Sequence, residues 1–182
     1  QSTWEEATQD LVSTWRTTVQ SVQIDDLVEQ IRAAVEADDL VALSRIQAPV
    51  AGVDLLFEQM KAVAEDAIVG AKAEALTQGV SIGTINTATN VNPLLKSRAE
   101  ATANLLSRGI SDSASRVASN LGTGLASDVV ADAVRDHLEN LTDAYLQDMI
   151  GGSMTQAQNT GRLEVFGQNP VQVVIGEIPL AF

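Results

Sequence analysis

The chain has 182 residues, no cysteine and a formal net charge of −13. That length suits one ordinary domain, or a long helical region followed by a smaller unit, and the missing cysteines exclude disulfides, thiolate metal sites and a cysteine nucleophile. With 24 acidic side chains against 11 basic ones, the surface is unsuited to neutralising phosphates, which argues against direct sequence-specific binding to nucleic acid.

Ala, Val and Leu dominate the apolar residues while aromatics make up 3%, a composition for helices packed through small and aliphatic side chains. The apolar runs, such as Val171 to Ile175, are far shorter than the roughly 20 residues of a membrane span. A soluble protein is expected. The first residue is Gln1 and the last residues form an apolar stretch, Ile178 to Phe182, so the chain is expected to belong to something longer.

Trp4, Leu11, Trp15, Thr18 and Val22 fall on one helical stripe, and Thr3 with Glu6 fits a capping box before it. Asp26 and Glu29 repeat that offset ahead of Leu27, Ile31, Ala34 and Val35, so two helices, or one bent helix, are expected over residues 3–37. Asp38-Asp39 reads as a break or a new cap before Leu40 to Ile46, which Pro49 closes. A longer helix is expected from Val53 to Gln78. Its face is Leu56, Phe57, Met60, Val63, Ala64, Ala67 and Ala71; Gly79 terminates it, and Gly70 suggests close packing or a bend.

Residues 79–92, GVSIGTINTATNVN, lack helical periodicity and read as a linker or extended arm between an N-terminal helical region, 1–78, and a C-terminal one, 93–182. Asn92 as cap and Pro93 at the first helical position start the next helix, which Gly109 is expected to end. Ser111 is expected to cap a short helix that Gly122 and Gly124 interrupt. Ser127 is expected to cap another, with Val130, Val134, Leu138 and Leu141 on one face, continuing through Tyr145, Leu146 and Met149 until Gly151-Gly152 breaks it. The pattern resumes from Met154 to Phe166, and Val171, Val173, Ile175 and Ile178 then alternate as a strand. The fold class is therefore mostly α, an elongated multi-helix assembly with a small C-terminal strand-containing element.

No catalytic set emerges. His137 is the single histidine, with Asp136 and Ser127 nearby in sequence but no nucleophile elbow, so it reads as a surface or cap residue. The stripe Asp128, Asp132, Asp136, Glu139 and Asp143 reads as a solvated helix face rather than a cation site. The glycines of Gly79 to Thr84 and Gly122 to Gly124 sit without a phosphate-loop lysine or a preceding strand and read as helix ends. No cofactor or metal is expected. Trp4 and Trp15, eleven residues apart in an aromatic-poor chain, are the candidates for a partner-binding face, with local core as the competing reading.

The run Thr155-Gln156-Ala157-Gln158-Asn159-Thr160-Gly161-Arg162-Leu163-Glu164 resembles the conserved stretch of the phage Mu F-like minor head proteins, the head-morphogenesis family of tailed phages. Asn159, Gly161 and Arg162 match the family's Asn-x-Gly-Arg-type motif, while Gly151-Gly152-Ser153 stands where the family commonly carries Arg-Thr-Glu. The resemblance covers only the C-terminal part of the chain. It implies a non-enzymatic minor capsid protein of the virion, present in the host cytoplasm during assembly. Portal or major capsid protein would be its partner, and assembly or genome delivery its role. The three motif residues are expected to hold their helix against Val171 to Ile178, with Arg162 as a bidentate clamp. The rival expectations are a helical adaptor outside the virion and, from the enzyme class, a hydrolase using His137 or the acidic stripe.

Overall fold

A computed structural model describes residues 3–168 of the chain, with the side chains of Thr3 and Gln168 outside that description. The expected strand residues Val171, Val173, Ile175 and Ile178 lie outside the described residues, and among the described residues there is no strand. The helices are α1 (Thr3–Trp15), α2 (Ser21–Glu36), α3 (Leu40–Leu43), α4 (Val53–Thr77), α5 (Thr87–Asn90), α6 (Asn92–Leu121), α7 (Ser127–Glu139) and α8 (Ala144–Gln168).

Between α1 and α2 the chain does not leave the helix; it widens into one π turn, Arg16–Gln20, where the Ser21 amide donates to the Arg16 carbonyl. The local sequence explains the widening. The hydroxyls of Thr17 and Thr18 donate back to carbonyls at Ser13 and Thr14, and Ser21 donates to Thr17, which competes with the regular ladder and loosens it. Asp26 and Glu29 therefore cap nothing: both lie inside α2, where Asp26 accepts from the Gln30 amide at 2.6 Å.

The extra π residue also shifts the apolar phase. Upstream, Leu11 and Trp15 are buried as expected, but downstream the inward positions are Val19, Gln23, Ile24 and Leu27, leaving Thr18 exposed and Val22 58% exposed.

Two apolar cores result. The first gathers α1, α4, the N-terminal half of α6 and α8 around Leu56, Met60, Leu95, Ala99, Ile150 and Met154. The second gathers α2, α3, the C-terminal half of α6 and α7 around Leu27, Ile31, Leu43, Val130, Val134 and Leu138. Both the α1–α2 helix and α6 run through the seam between them.

Several punctuation marks read from the sequence behave differently in the fold. Gly109 does not end a helix; α6 continues through it, and a Cβ there would sit 3.2 Å from the Tyr145 hydroxyl, so the small residue makes room for that ring. Ser111 is likewise interior, donating to the Ser107 carbonyl at 2.7 Å and accepting from the Ala48 amide at 2.9 Å. Asn92 is not a side-chain cap, whereas Asn86 is, accepting from Thr89 N–H ahead of α5. Ser127 begins α7 but donates to Glu36 instead of capping, and α7 stops at Glu139. Gly151-Gly152 lies within the unbroken α8, and Gly70 packs against nothing.

The expected marks that hold are Asp39, which caps α3 through Ala42 N–H at 3.0 Å, and the left-handed Gly79 and Gly122 after α4 and α6. The expected arm 79–92 is packed: Ile85 and Val91 are buried in the first core and Ile82 lies against it.

The crossing of α4 and α8 is the most extensive helix pairing. Gly161 permits it, since a Cβ at that position would lie 2.5 Å from the Ala64 carbonyl oxygen.

Candidate partner-binding groove

The two tryptophans of α1 have different fates. Trp15 is 1% exposed, and the ring sits over Gly52, where a Cβ would fall 2.3 Å from the Trp15 Cζ3 atom. Gly52 also adopts φ 81° at the start of α4, so it meets two demands that only glycine satisfies together. Trp15 therefore presents no face to a partner, and its assignment to a binding surface is corrected: it is core.

Trp4 is half-buried and reaches the surface. With Thr8 and Gln9 it forms one wall of a shallow groove whose other wall is α8, from Gln147 through Gly151, Gly152 and Thr155. Gly152 and Thr155 also belong to the depression that continues along α8 past Gln156, Asn159 and Thr160 to Leu163. One groove thus joins Trp4 to Asn159, with the 70% exposed Leu163 at its far end.

Its floor is built of small residues. A Cβ at Gly152 would touch nothing within 4 Å, so this glycine carries the helix-propensity penalty of up to ~1 kcal/mol without any packing inside the chain to explain it.

The motif residues divide between surface and interior. Asn159 is exposed in the groove, Gly161 faces Ala64 of α4, and Arg162 donates to Glu74 of α4 at 3.1 Å while its guanidinium lies 5.5 Å from the Phe166 ring centre. Arg162 makes this one carboxylate bond instead of a bidentate clamp. The expected contact with Val171 to Ile178 lies outside the described residues. Among the described ones, Gly161 and Arg162 are directed at α4.

His137 does not meet Ser127 or Asp136, which bond Glu36 and Asn140. Its Nε2 lies 3.2 Å from the Ser113 hydroxyl of α6. Ser113 sits in mid-helix, where the neighbouring amides are consumed by helix bonds, so the pair has no adjacent amide to stabilise an oxyanion.

Three of the five residues of the acidic stripe are engaged in ion pairs. Asp128 pairs with Arg32, Asp143 with Arg16 and Glu139 with Arg135 at 3.6 Å, and Asp136 accepts from Asn140. Arg135 is held charged above its ordinary range, chiefly by the hydrogen bond to Asp25. Among the described residues no three His, Asp or Glu side chains are grouped to hold a metal. No described helix is long and apolar enough to cross a membrane.

Sequence reasoning missed the polar set under the loop after α3. Ser107, Ser111 and Ser115 stand one turn apart on α6 and bond Ala48 and Leu43, while Gln23 and Gln30 bond the Pro49 and Gln47 carbonyls. The four-residue serine spacing was the available signal. No family model, curated protein or solved structure matches the chain.

Proposed function

We propose that this chain is a structural minor head protein of a tailed phage, a non-catalytic helical module that binds portal or inner capsid subunits through the groove between α1 and α8. The observation that carries the reading is the placement of Trp4 and Asn159 on one surface: the candidate partner residue and the exposed member of the motif share a groove floored by Gly151 and Gly152. Small residues on an exposed helix face let a second backbone approach closely, and a half-buried tryptophan at the margin supplies the anchor typical of an interface hot spot. The role proposed is in head assembly or genome delivery, with the protein in the virion and, before that, in the host cytoplasm.

The reading is tested by co-expressing the chain with the portal and major capsid proteins encoded by the same genome and sedimenting the resulting heads. Co-sedimentation with heads or portal rings, at a fixed substoichiometric ratio, is expected. A chain that stays at the top of the gradient with both present refutes the assignment and leaves an adaptor role outside the virion.

A further inference from the structure

Helices α4 and α6 each bury one face and leave a second, regularly spaced stripe of residues pointing outward. On α4 it is Ala62, Asp66, Val69, Ala73 and Leu76, and on α6 it is Leu94, Arg98, Ala101, Leu105 and Arg108, all of them exposed. Both stripes step by four and three residues in turn, the spacing of the seam along which two helices pack in a coiled coil. A solvated helix face is ordinarily polar, yet Val69 and Leu76 are 68% and 65% exposed, and Leu94 and Leu105 are 62% and 46% exposed.

The stripes carry opposite charge. The α4 sequence holds five acidic and two basic residues and that of α6 four basic and two acidic, so α6 is locally positive in a chain of net charge −13. Asp66, Arg98 and Arg108 make no ion pair with another described residue. The two stripes do not meet within the chain, because α4 and α6 already pack together through their buried faces.

We infer that the outward face of α4 is a docking site for the outward face of α6 in a second copy of this chain. Two copies repel through their net charge, and an α4–α4 contact sets acid against acid as an α6–α6 contact sets base against base. Only the mixed pairing joins unlike charges around an apolar seam. The stripes match in register in either direction: antiparallel, Asp66 meets Arg108 and Val69 meets Leu105; parallel, Asp66 meets Arg98 and Ala73 meets Leu105. Because the two patches differ, the contact is heterologous, and each pair of copies keeps one free face of each kind from which a ring or an open string can grow. The contact uses neither Trp4 nor Asn159 and is independent of the α1–α8 groove.

Sedimentation velocity of the full chain over a range of concentrations tests this. The wild type is expected to associate reversibly. Val69→Gln with Leu76→Gln, which alters only the α4 face, and Leu94→Gln with Leu105→Gln, which alters only the α6 face, leave the net charge unchanged and are each expected to weaken association about tenfold or more. An equimolar mixture of the two variants retains one natural α4 face and one natural α6 face, so it should form dimers with wild-type affinity and nothing larger. Asp66→Arg makes the chain less negative and lowers the general repulsion, yet it too should weaken association. Circular dichroism shows whether each variant stays folded, as expected for exposed positions. A wild type that sediments as a monomer up to about 1 mM, association lost in only one of the two double variants, a mixture that stays monomeric, or tighter association of Asp66→Arg would each overturn the inference. The wild-type measurement and the Asp66→Arg comparison decide the matter even if a double variant does not fold.

Discussion

Substitution of Gly161 by alanine should weaken the fold, whereas the same change nine residues earlier should strengthen it. At position 161 the new methyl would lie 2.5 Å from the Ala64 carbonyl oxygen and 3.2 Å from the Ala67 Cβ. The first of these is backbone, and it cannot rotate away. The helices α4 and α8 would have to separate by roughly 1 Å, and overpacking of this kind costs about 1–3 kcal/mol. Against it stands the gain in helix propensity, up to about 1 kcal/mol for Gly→Ala. The expected net loss is about 1–2 kcal/mol, or about 2–8 °C in Tm for a chain of this length.

Gly152→Ala isolates the propensity gain, because nothing lies within 4 Å of the added methyl. Urea and thermal unfolding followed by circular dichroism read both variants. If Gly161→Ala raised stability as much as Gly152→Ala, the close α4–α8 crossing would be refuted, and with it the packing role of the motif glycine.

Trp15→Ala should cost about 3–5 kcal/mol, as expected for emptying a buried indole site, while Trp4→Ala should leave the denaturation midpoint far less changed; equal losses would contradict the separation of core and surface tryptophans. Arg162→Lys should change stability by less than about 1 kcal/mol, because its pair with Glu74 is close to half-exposed on both sides and solvent screens such pairs; a larger loss on urea unfolding would restore the clamp expected from the sequence. The buried hydroxyls of Thr102 and Ser153 lie 2.7 Å apart, so Thr102→Val or Ser153→Ala alone should cost about 1–3 kcal/mol and the double variant less than the sum. Additive losses in that cycle would show that the two hydroxyls are not coupled.

The apolar period exposed most of the helices in the sequence, because burial follows it closely along α4 and α7: Leu56, Met60, Val63 and Ala64 on one, Val130, Val134 and Leu138 on the other. It failed at the π turn for a definite reason. One inserted residue rotates everything downstream by about 100°, and Val22, in phase with Trp15 on paper, ends at the surface. Glycine was the other source of error. Gly109, Gly151 and Gly152, expected to end or break helices, all lie inside them, and the first makes room for Tyr145.

Which role a glycine plays depends on what the tertiary fold brings beside it, and local sequence does not contain that. The same holds for Ser111, read as a cap and found bridging two helical turns to a loop. Of the candidate site, Trp4 and Asn159 were named from composition and motif. Their shared groove depends on the antiparallel return of a helix more than 140 residues away along the chain, and no local pattern encodes it.

Binding through the α1–α8 groove is tested most directly by Gly152→Leu, which places a side chain on the groove floor where nothing beyond the adjoining backbone of α8 and its two chain neighbours lies within 4 Å of the Cβ position. Its affinity for the portal or capsid protein recovered with the natural chain should be measured by calorimetric titration beside the wild type and Trp4→Ala. The account predicts unfolding midpoints for Gly152→Leu at or above that of the wild type, with affinity reduced about tenfold or more in both variants, as for loss of an interface hot spot. Wild-type affinity in a folded Gly152→Leu chain would contradict it.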